Sequence, residues 1–192
     1  MTTCARSYGV ALNEVYSPIK YDRKDQYLDP VTNCEMAQQQ ITWLIRRGDL
    51  ILSDDKKETE KEFLFHFKDT DERKFSLPVY EYPDEDDDVP ERFATGENGK
   101  IFRIDNYRKY ILTISKELVK ASVLNCDLSS IPLVEFDRYQ NPQTRRAFYI
   151  AYLMCKVTLS GAWLEVAIHL KGKQICTTKI ENVQNAGGAR SS

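Results

Sequence analysis

This sequence predicts a mainly β protein, an antiparallel β-sandwich. Three observations carry the expectation. Residues 148–180 alternate apolar with other residues over successive short runs, the period-2 signature of half-buried strands. Ser160-Gly161 and Lys171-Gly172-Lys173 separate those runs, and glycine supplies the positive φ that tight hairpins require. Phe63, Phe65 and Phe67 alternate in a third place, on one face of a strand.

The hairpin at Ser160-Gly161 can be written out in full. A two-residue loop there opposes Leu159 to Ala162, Val157 to Leu164, Cys155 to Val166 and Leu153 to Ile168, so one face is wholly apolar. The other face receives Lys156 opposite Glu165 and Tyr152 opposite His169. A slip of one residue would bury Lys156 and Glu165, so the pattern fixes the register. The next strand, 174–180, has two possible registers. A two-residue loop opposes Ile168 to Ile175. A three-residue loop opposes Ile168 to Cys176 and Glu165 to Lys179.

The remaining elements follow in chain order. Residues 6–12 read as a short strand with no neighbour before it, so its partner is distant in sequence. Residues 16–38 are polar, with Pro18, Pro30 and the charged run Asp22-Arg23-Lys24-Asp25, and read as a long insertion loop. Residues 39–52 are β-branched or aromatic around Gly48-Asp49 and read as a strand or strand pair. Residues 56–61 are charged and predict one helical turn or a loop. Residues 75–82 form the next strand, with Pro78 marking an edge or a bulge. The acidic run 84–88 lacks the spaced ligands and central glycine of a calcium loop and reads as solvated. Residues 99–105 are another short strand. Residues 110–124 are compatible with a helix or a strand. Residues 128–142 read as loop, and 184–192 as a disordered tail.

Composition bounds the function. The 192 residues suffice for one domain with a real core, and a 42% hydrophobic content is that of a globular chain. A net charge of -2 gives no global field toward nucleic acid. No apolar run reaches membrane-spanning length, and the N-terminus lacks a signal pattern. The five cysteines are odd in number, form no CxxC pair, and read as reduced thiols in the cytoplasm. There is no phosphate-binding glycine loop. The two histidines, His66 and His169, do not supply a zinc set, and the hairpin puts Cys155 and His169 on opposite faces, which defeats that dyad. The inventory therefore points away from an enzyme.

Five stretches, in order, resemble one family. Ser7-Tyr8-Gly9-Val10 is similar to the Ser-Leu-Gly-Ile element that opens the substrate-binding domain of heat shock protein 70 chaperones. The segment from Trp43 to Ile51 sits where that family has an apolar-Leu-Ile, a basic turn and an Ile-Pro. Leu77-Pro78-Val79-Tyr80-Glu81 resembles its Ile-X-Val-Tyr-Glu strand. Gly99-Lys100-Ile101-Phe102-Arg103 resembles its Leu-Gly-Lys-Phe element. Leu159-Ser160-Gly161 through Val166 sits at its Ala-Asn-Gly hairpin, with Gly172-Lys173 following as in the family. The opening and the hairpin look most like the divergent branch named for member 12 and its fungal cousins.

The resemblance implies a peptide- or unfolded-protein-binding β-domain: residues 1–15 as the first strand after a missing ATPase lobe, 16–38 as an insertion, and 39–183 as the sandwich. The lobe and linker before Ser7 and the helical lid after Ile180 are absent from this sequence, which implies a carboxy-terminal fragment or truncated product. ATP would belong only to the missing lobe, so no cofactor is expected. The expected partners are extended apolar peptides or unfolded proteins, with neither nucleic acid nor membrane. Substrate contacts would come from Leu12, Val15 and Tyr16 after the first strand, and from Phe67 and Phe75 flanking a later loop. The alternative is an interaction or structural sandwich without chaperone activity, marked by a covered or filled groove.

Overall fold

The computed structural model of this chain describes residues 2–4, 6–51, 57–82, 93–95, 101–103, 119–160 and 163–181. Strand β1 (Thr2–Thr3) precedes the long β2 (Ser7–Val15). A 3-10 turn at Arg23–Asp25, capped by the Asp22 carboxylate on the Lys24 N–H, leads into β3 (Gln26–Leu28). Strand β4 (Glu35–Ile45) returns antiparallel to β3, and β5 (Leu50–Ile51) pairs with β1. Strands β6 (Lys57–Phe67) and β7 (Lys74–Tyr82) flank a polar turn. Strands β8 (Phe93–Thr95) and β9 (Ile101–Arg103) make a small antiparallel pair. After β10 (Val119–Asp127) comes a second 3-10 turn at Leu133–Glu135. The chain then runs through β11 (Asp137–Gln140), β12 (Ala147–Ser160), β13 (Trp163–Leu170) and β14 (Lys173–Glu181). The described residues contain no α-helix, hence no helix long and apolar enough to cross a membrane.

Two five-stranded antiparallel sheets result. One has the order β10-β7-β2-β4-β3. The other runs β11-β12-β13-β14, with β6 also paired to β12. Their inner faces share one hydrophobic core. Leu153, Cys155, Val157 and Leu159 of β12, with Leu164, Val166 and Ile168 of β13, meet Tyr8, Val10, Val79 and Leu124 of the facing sheet. Each such side chain, taken from water to full burial, contributes about 1.5–3 kcal/mol. The expected fold class is therefore observed: mainly β, antiparallel and sandwich-like.

The first strand finds its distant partners. Strand β2 lies between β4 and β7, with Gly9 opposite both Trp43 and Tyr80. A Cβ on Gly9 would come within 3.0 Å of Ile41 Cγ2, Thr42 O and Trp43 Cε3, so only glycine lets β4 lie this close. Pro78 sits just beyond the ladder between β2 and β7, which ends at Val79, and β10 carries a bulge between Lys120 and Ser122 close by. The edge-or-bulge expectation is met locally.

Several expectations are corrected. The hairpin register differs by two residues: Leu159 faces Leu164, Val157 faces Val166, Cys155 faces Ile168 and Leu153 faces Leu170. The same side chains still point inward, because a shift of two preserves parity. Lys156 does not meet Glu165. It pairs with Glu60 of β6 at 2.5 Å, while Glu165 faces Lys179 of β14. The next turn satisfies both registers in sequence. Lys171 (φ 49°) and Gly172 (φ 81°) close a two-residue turn, and a bulge between Ile168 and His169 then shifts the ladder so that Ile168 opposes Cys176.

Residues 57–61 are strand, not a helical turn, because β12 pairs with them from Val157 to Leu159 and Cys155 to Lys156. The segment 16–38 is no plain loop. It holds a 3-10 turn, β3 and the start of β4. Residues 128–142 hold a 3-10 turn and β11 rather than loop alone. Within 110–124, residues from Val119 onward are strand. The acidic run 84–88 and the tail lie outside the described residues, as does most of 99–105 apart from β9.

The reduced-thiol expectation is also corrected. Cys126 of β10 and Cys176 of β14 form a disulfide, with Cα atoms 5.6 Å apart. Beside it the Ser122 and Thr178 hydroxyls share a 2.6 Å hydrogen bond. These contacts close the sandwich along the edge formed by β10 and β14. Cys4, Cys34 and Cys155 take no part in a disulfide.

Candidate functional site

Among the described residues the sheets part along the opposite side of the sandwich. Strands β4 and β6 touch where the Thr59 hydroxyl donates to the Leu44 carbonyl at 3.1 Å. Beyond that corner the sheets diverge and leave a cleft of about 650 Å³ between β2, β4 and β6. At the far end the segment from 29 to 34 spans the two sheets. The Asp29 carboxylate accepts from the Thr32 N–H at 3.1 Å and hydroxyl at 2.6 Å, and lies 3.7 Å from His66 Nδ1 of β6. The Asn141 side-chain amide, from the second sheet, donates to the Val31 carbonyl at 2.9 Å. Burial lowers the His66 pKa, with the Asp29 charge opposing that shift.

The cleft walls are half apolar. Leu12, Met36, Ile41, Trp43 and Phe63 supply that part. The polar part is organised by Glu14. Between Leu12, opposite Gln40, and Glu14, opposite Ala37, β4 carries one extra residue, and strand alternation keeps the Glu14 carboxylate on the face of Leu12. Glu14 accepts from Lys20 Nζ at 2.8 Å, from the Tyr21 hydroxyl, and from the Thr42 hydroxyl at 3.2 Å. Burial acts to raise the Glu14 pKa, but the hydrogen bonds from Lys20, Tyr21 and Thr42 outweigh it and hold the carboxyl below its ordinary value. An anion with three donors is a satisfied structural charge, not a free base. Next to it the Gln40 amide donates to Asp25 at 3.2 Å.

Two strand edges border the opening. Among the described residues β6 pairs with β12 alone, and β4 pairs with β3 only from Glu35 to Ala37. Backbone groups along such edges are available to a further strand.

The site residues expected from the sequence are only partly brought together. Leu12 and Val15 line the cleft, and Val15 is 64% exposed. Tyr16 follows β2 and donates its N–H to the Glu35 carbonyl at 3.0 Å, outside the lining. Phe67 is 1% exposed and packs edge-on to Phe136 and stacked on Tyr149. Phe75 packs against Phe65, ring centroids 4.4 Å apart, and against Phe63. Phe67 belongs to the core and the partly buried Phe75 packs against it. Sequence reasoning missed Glu14, Lys20, Tyr21, Gln40, Thr42 and Lys61. Nothing local marked them, because their arrangement depends on a bulge and on three separate segments.

A smaller hollow of about 390 Å³ lies on the outer face of the second sheet, around the half-exposed Trp163 with Thr158, Ser160, Glu165 and Lys179. The described residues hold no cluster of three or more His, Cys, Asp or Glu suited to a metal. Cys155 is buried, its thiol pushed up to about 12 by desolvation, and His169 lies on the opposite face.

The fold and cleft define a class: an antiparallel β-sandwich closed along one edge by a disulfide and, among the described residues, parted by a cleft along the other. No protein-family model matches the chain, no curated protein matches it, and no solved structure matches it. The resemblance to heat shock protein 70 chaperones thus rests on the sequence motifs alone.

Proposed function

We propose that this chain is a peptide-binding β-sandwich, which takes extended apolar peptides or unfolded segments by adding them as a strand at the cleft. One observation carries the reading: an inter-sheet opening with apolar walls, bordered by edges of β4 and β6 that have no strand partner among the described residues. Added strands gain affinity from backbone hydrogen bonds and specificity from pockets for alternate side chains. The heat shock protein 70 resemblance points to the same class of ligand, and on that reading the chain would be the substrate-binding β-domain of such a chaperone. The bridge between Cys126 and Cys176 weighs against the cytoplasmic location expected from reduced thiols, since such bonds persist in oxidising compartments.

A second reading is an interaction or structural sandwich with no peptide groove. It is favoured by the burial of Phe67 and by the packing of the partly buried Phe75 against the core, where the resemblance placed a groove. Fluorescence anisotropy separates the two readings. A labelled extended apolar peptide is titrated against the wild type, Val15→Asp and Leu64→Asp. Both side chains line the cleft, and they are 64% and 40% exposed, so both variants should melt like wild type. Saturable binding that both substitutions weaken supports the cleft. Equal binding by all three moves the site elsewhere, and no binding by wild type leaves the second reading.

A further inference from the structure

The charges of the cleft narrow its ligand, on the condition that it binds a peptide at all. Strand alternation decides which β6 side chains face the opening. Lys61 stands opposite Cys155 and Phe63 opposite Leu153, both partners being buried in the core, so Lys61 and Phe63 share the inward face. Glu60 and Glu62 belong to the outward face, where Glu60 is engaged by Lys156. Lys61 is nevertheless exposed, because the sheets have diverged at that point. This edge strand thus offers the Lys61 cation to the cleft from its inward face, while Glu60 is turned away and the Glu62 carboxylate borders the rim.

The lining as a whole keeps an excess of positive charge, three cations against two carboxylates. Glu14 is consumed by Lys20, Tyr21 and Thr42. Arg46, at the other end of the lining, and Lys61 form no ion pair among the described residues. The pair of Lys20 and Glu14 is neutral in sum, so the charge presented to an occupant is that of Lys61 and Arg46 against the single carboxylate of Glu62, a net positive one. We infer that the cleft selects extended segments in which apolar residues alternate with acidic ones. The apolar side chains would meet the wall of Leu12, Trp43 and Phe63, and the carboxylates Lys61 and Arg46. Contacts of this exposed kind give modest affinity and more specificity and on-rate.

The test uses three labelled peptides with the same alternating valines and leucines, the intervening positions being glutamate, serine or lysine. Anisotropy titrations are run at low salt and again at high salt. The glutamate peptide should bind tightest and the lysine peptide weakest, by roughly two- to fivefold per charge contacted at low salt, with the differences collapsing at high salt. The double variant Arg46→Glu/Lys61→Glu should invert the order. Should it melt early beside Glu60 and Glu62, Arg46→Gln/Lys61→Gln should abolish the order without inverting it. If the three peptides bind alike, or the lysine peptide binds tightest, the inference is overturned while peptide binding stands. If none binds, the underlying function fails and the inference with it.

Discussion

Reducing the bridge between Cys126 and Cys176 should cost a calculable share of stability. The two residues are 50 apart in sequence, so the bond closes a long loop in the unfolded chain. The loop-entropy relation for roughly 50 residues gives about 4 kcal/mol at 25 °C, an upper bound because residual structure in the denatured state reduces it. With an m value of about 2.5 kcal/mol/M, that is a fall of about 1.6 M in the urea midpoint. The direct assay is urea unfolding followed by tyrosine and tryptophan fluorescence, with and without a reductant. Alkylation in denaturant with mass spectrometry accompanies it, and should label three thiols before reduction, Cys4, Cys34 and Cys155, and five after it. Cys126→Ser should reproduce the loss, with an added penalty because Cys126 is only 2% exposed. Five labelled thiols without reductant, together with coincident urea curves, would refute the bridge and reopen that edge of the sandwich.

Three further outcomes follow from the fold. Val157→Asp places a carboxylate at a site 1% exposed between Val166 and Thr59, and should cost about 4 kcal/mol or more, whereas Lys156→Ala loses only an exposed pair worth at most about 1 kcal/mol. Equal losses in chemical denaturation would mean that the faces of β12 are misassigned. Gly9→Ala should destabilise by about 1–3 kcal/mol through crowding against Ile41, Thr42 and Trp43, and an unchanged melting temperature would contradict that close approach. His66 has a folded pKa lowered first by burial, against an ordinary value of about 6.5, so the unfolded chain takes up its proton first as the pH falls. Stability attributable to His66 is therefore present above about pH 6.5 and is lost between there and the lower folded value. Melting temperatures at pH 7.5 and pH 5 should differ less for His66→Gln than for wild type, and an identical pH response would remove His66 from the account.

Much of the fold was legible because strand alternation is a local signal. The apolar period over 153–159 and 163–170 names the inward side chains without reference to any other element, and they are the ones found buried. The turn at Lys171-Gly172 was legible for a similar reason, since positive φ at two successive residues demands such a dipeptide. The cleft was scarcely legible. Leu12 and Val15 line it, but the carboxylate, amide and cations around them come from the end of β2, from a bulge in β4, from a segment that read as loop, and from an edge strand whose charges hid its conformation.

What the sequence by itself determined is therefore the class of structure, the parity of its strands and the identity of its core. What only the tertiary structure decided is which strands meet. Parity cannot distinguish registers two residues apart, so the pairing of Lys156 with Glu60 rather than Glu165 depended on β6 lying beside β12. Lys57 to Lys61 became a strand because β12 offered a backbone ladder, which is indifferent to side-chain period at an exposed edge. Cys126 and Cys176 carry no mutual signal along the chain. Their bond exists because two sheets that pack face to face bring β10 and β14 together at one edge, and the same packing leaves β4 and β6 apart at the other.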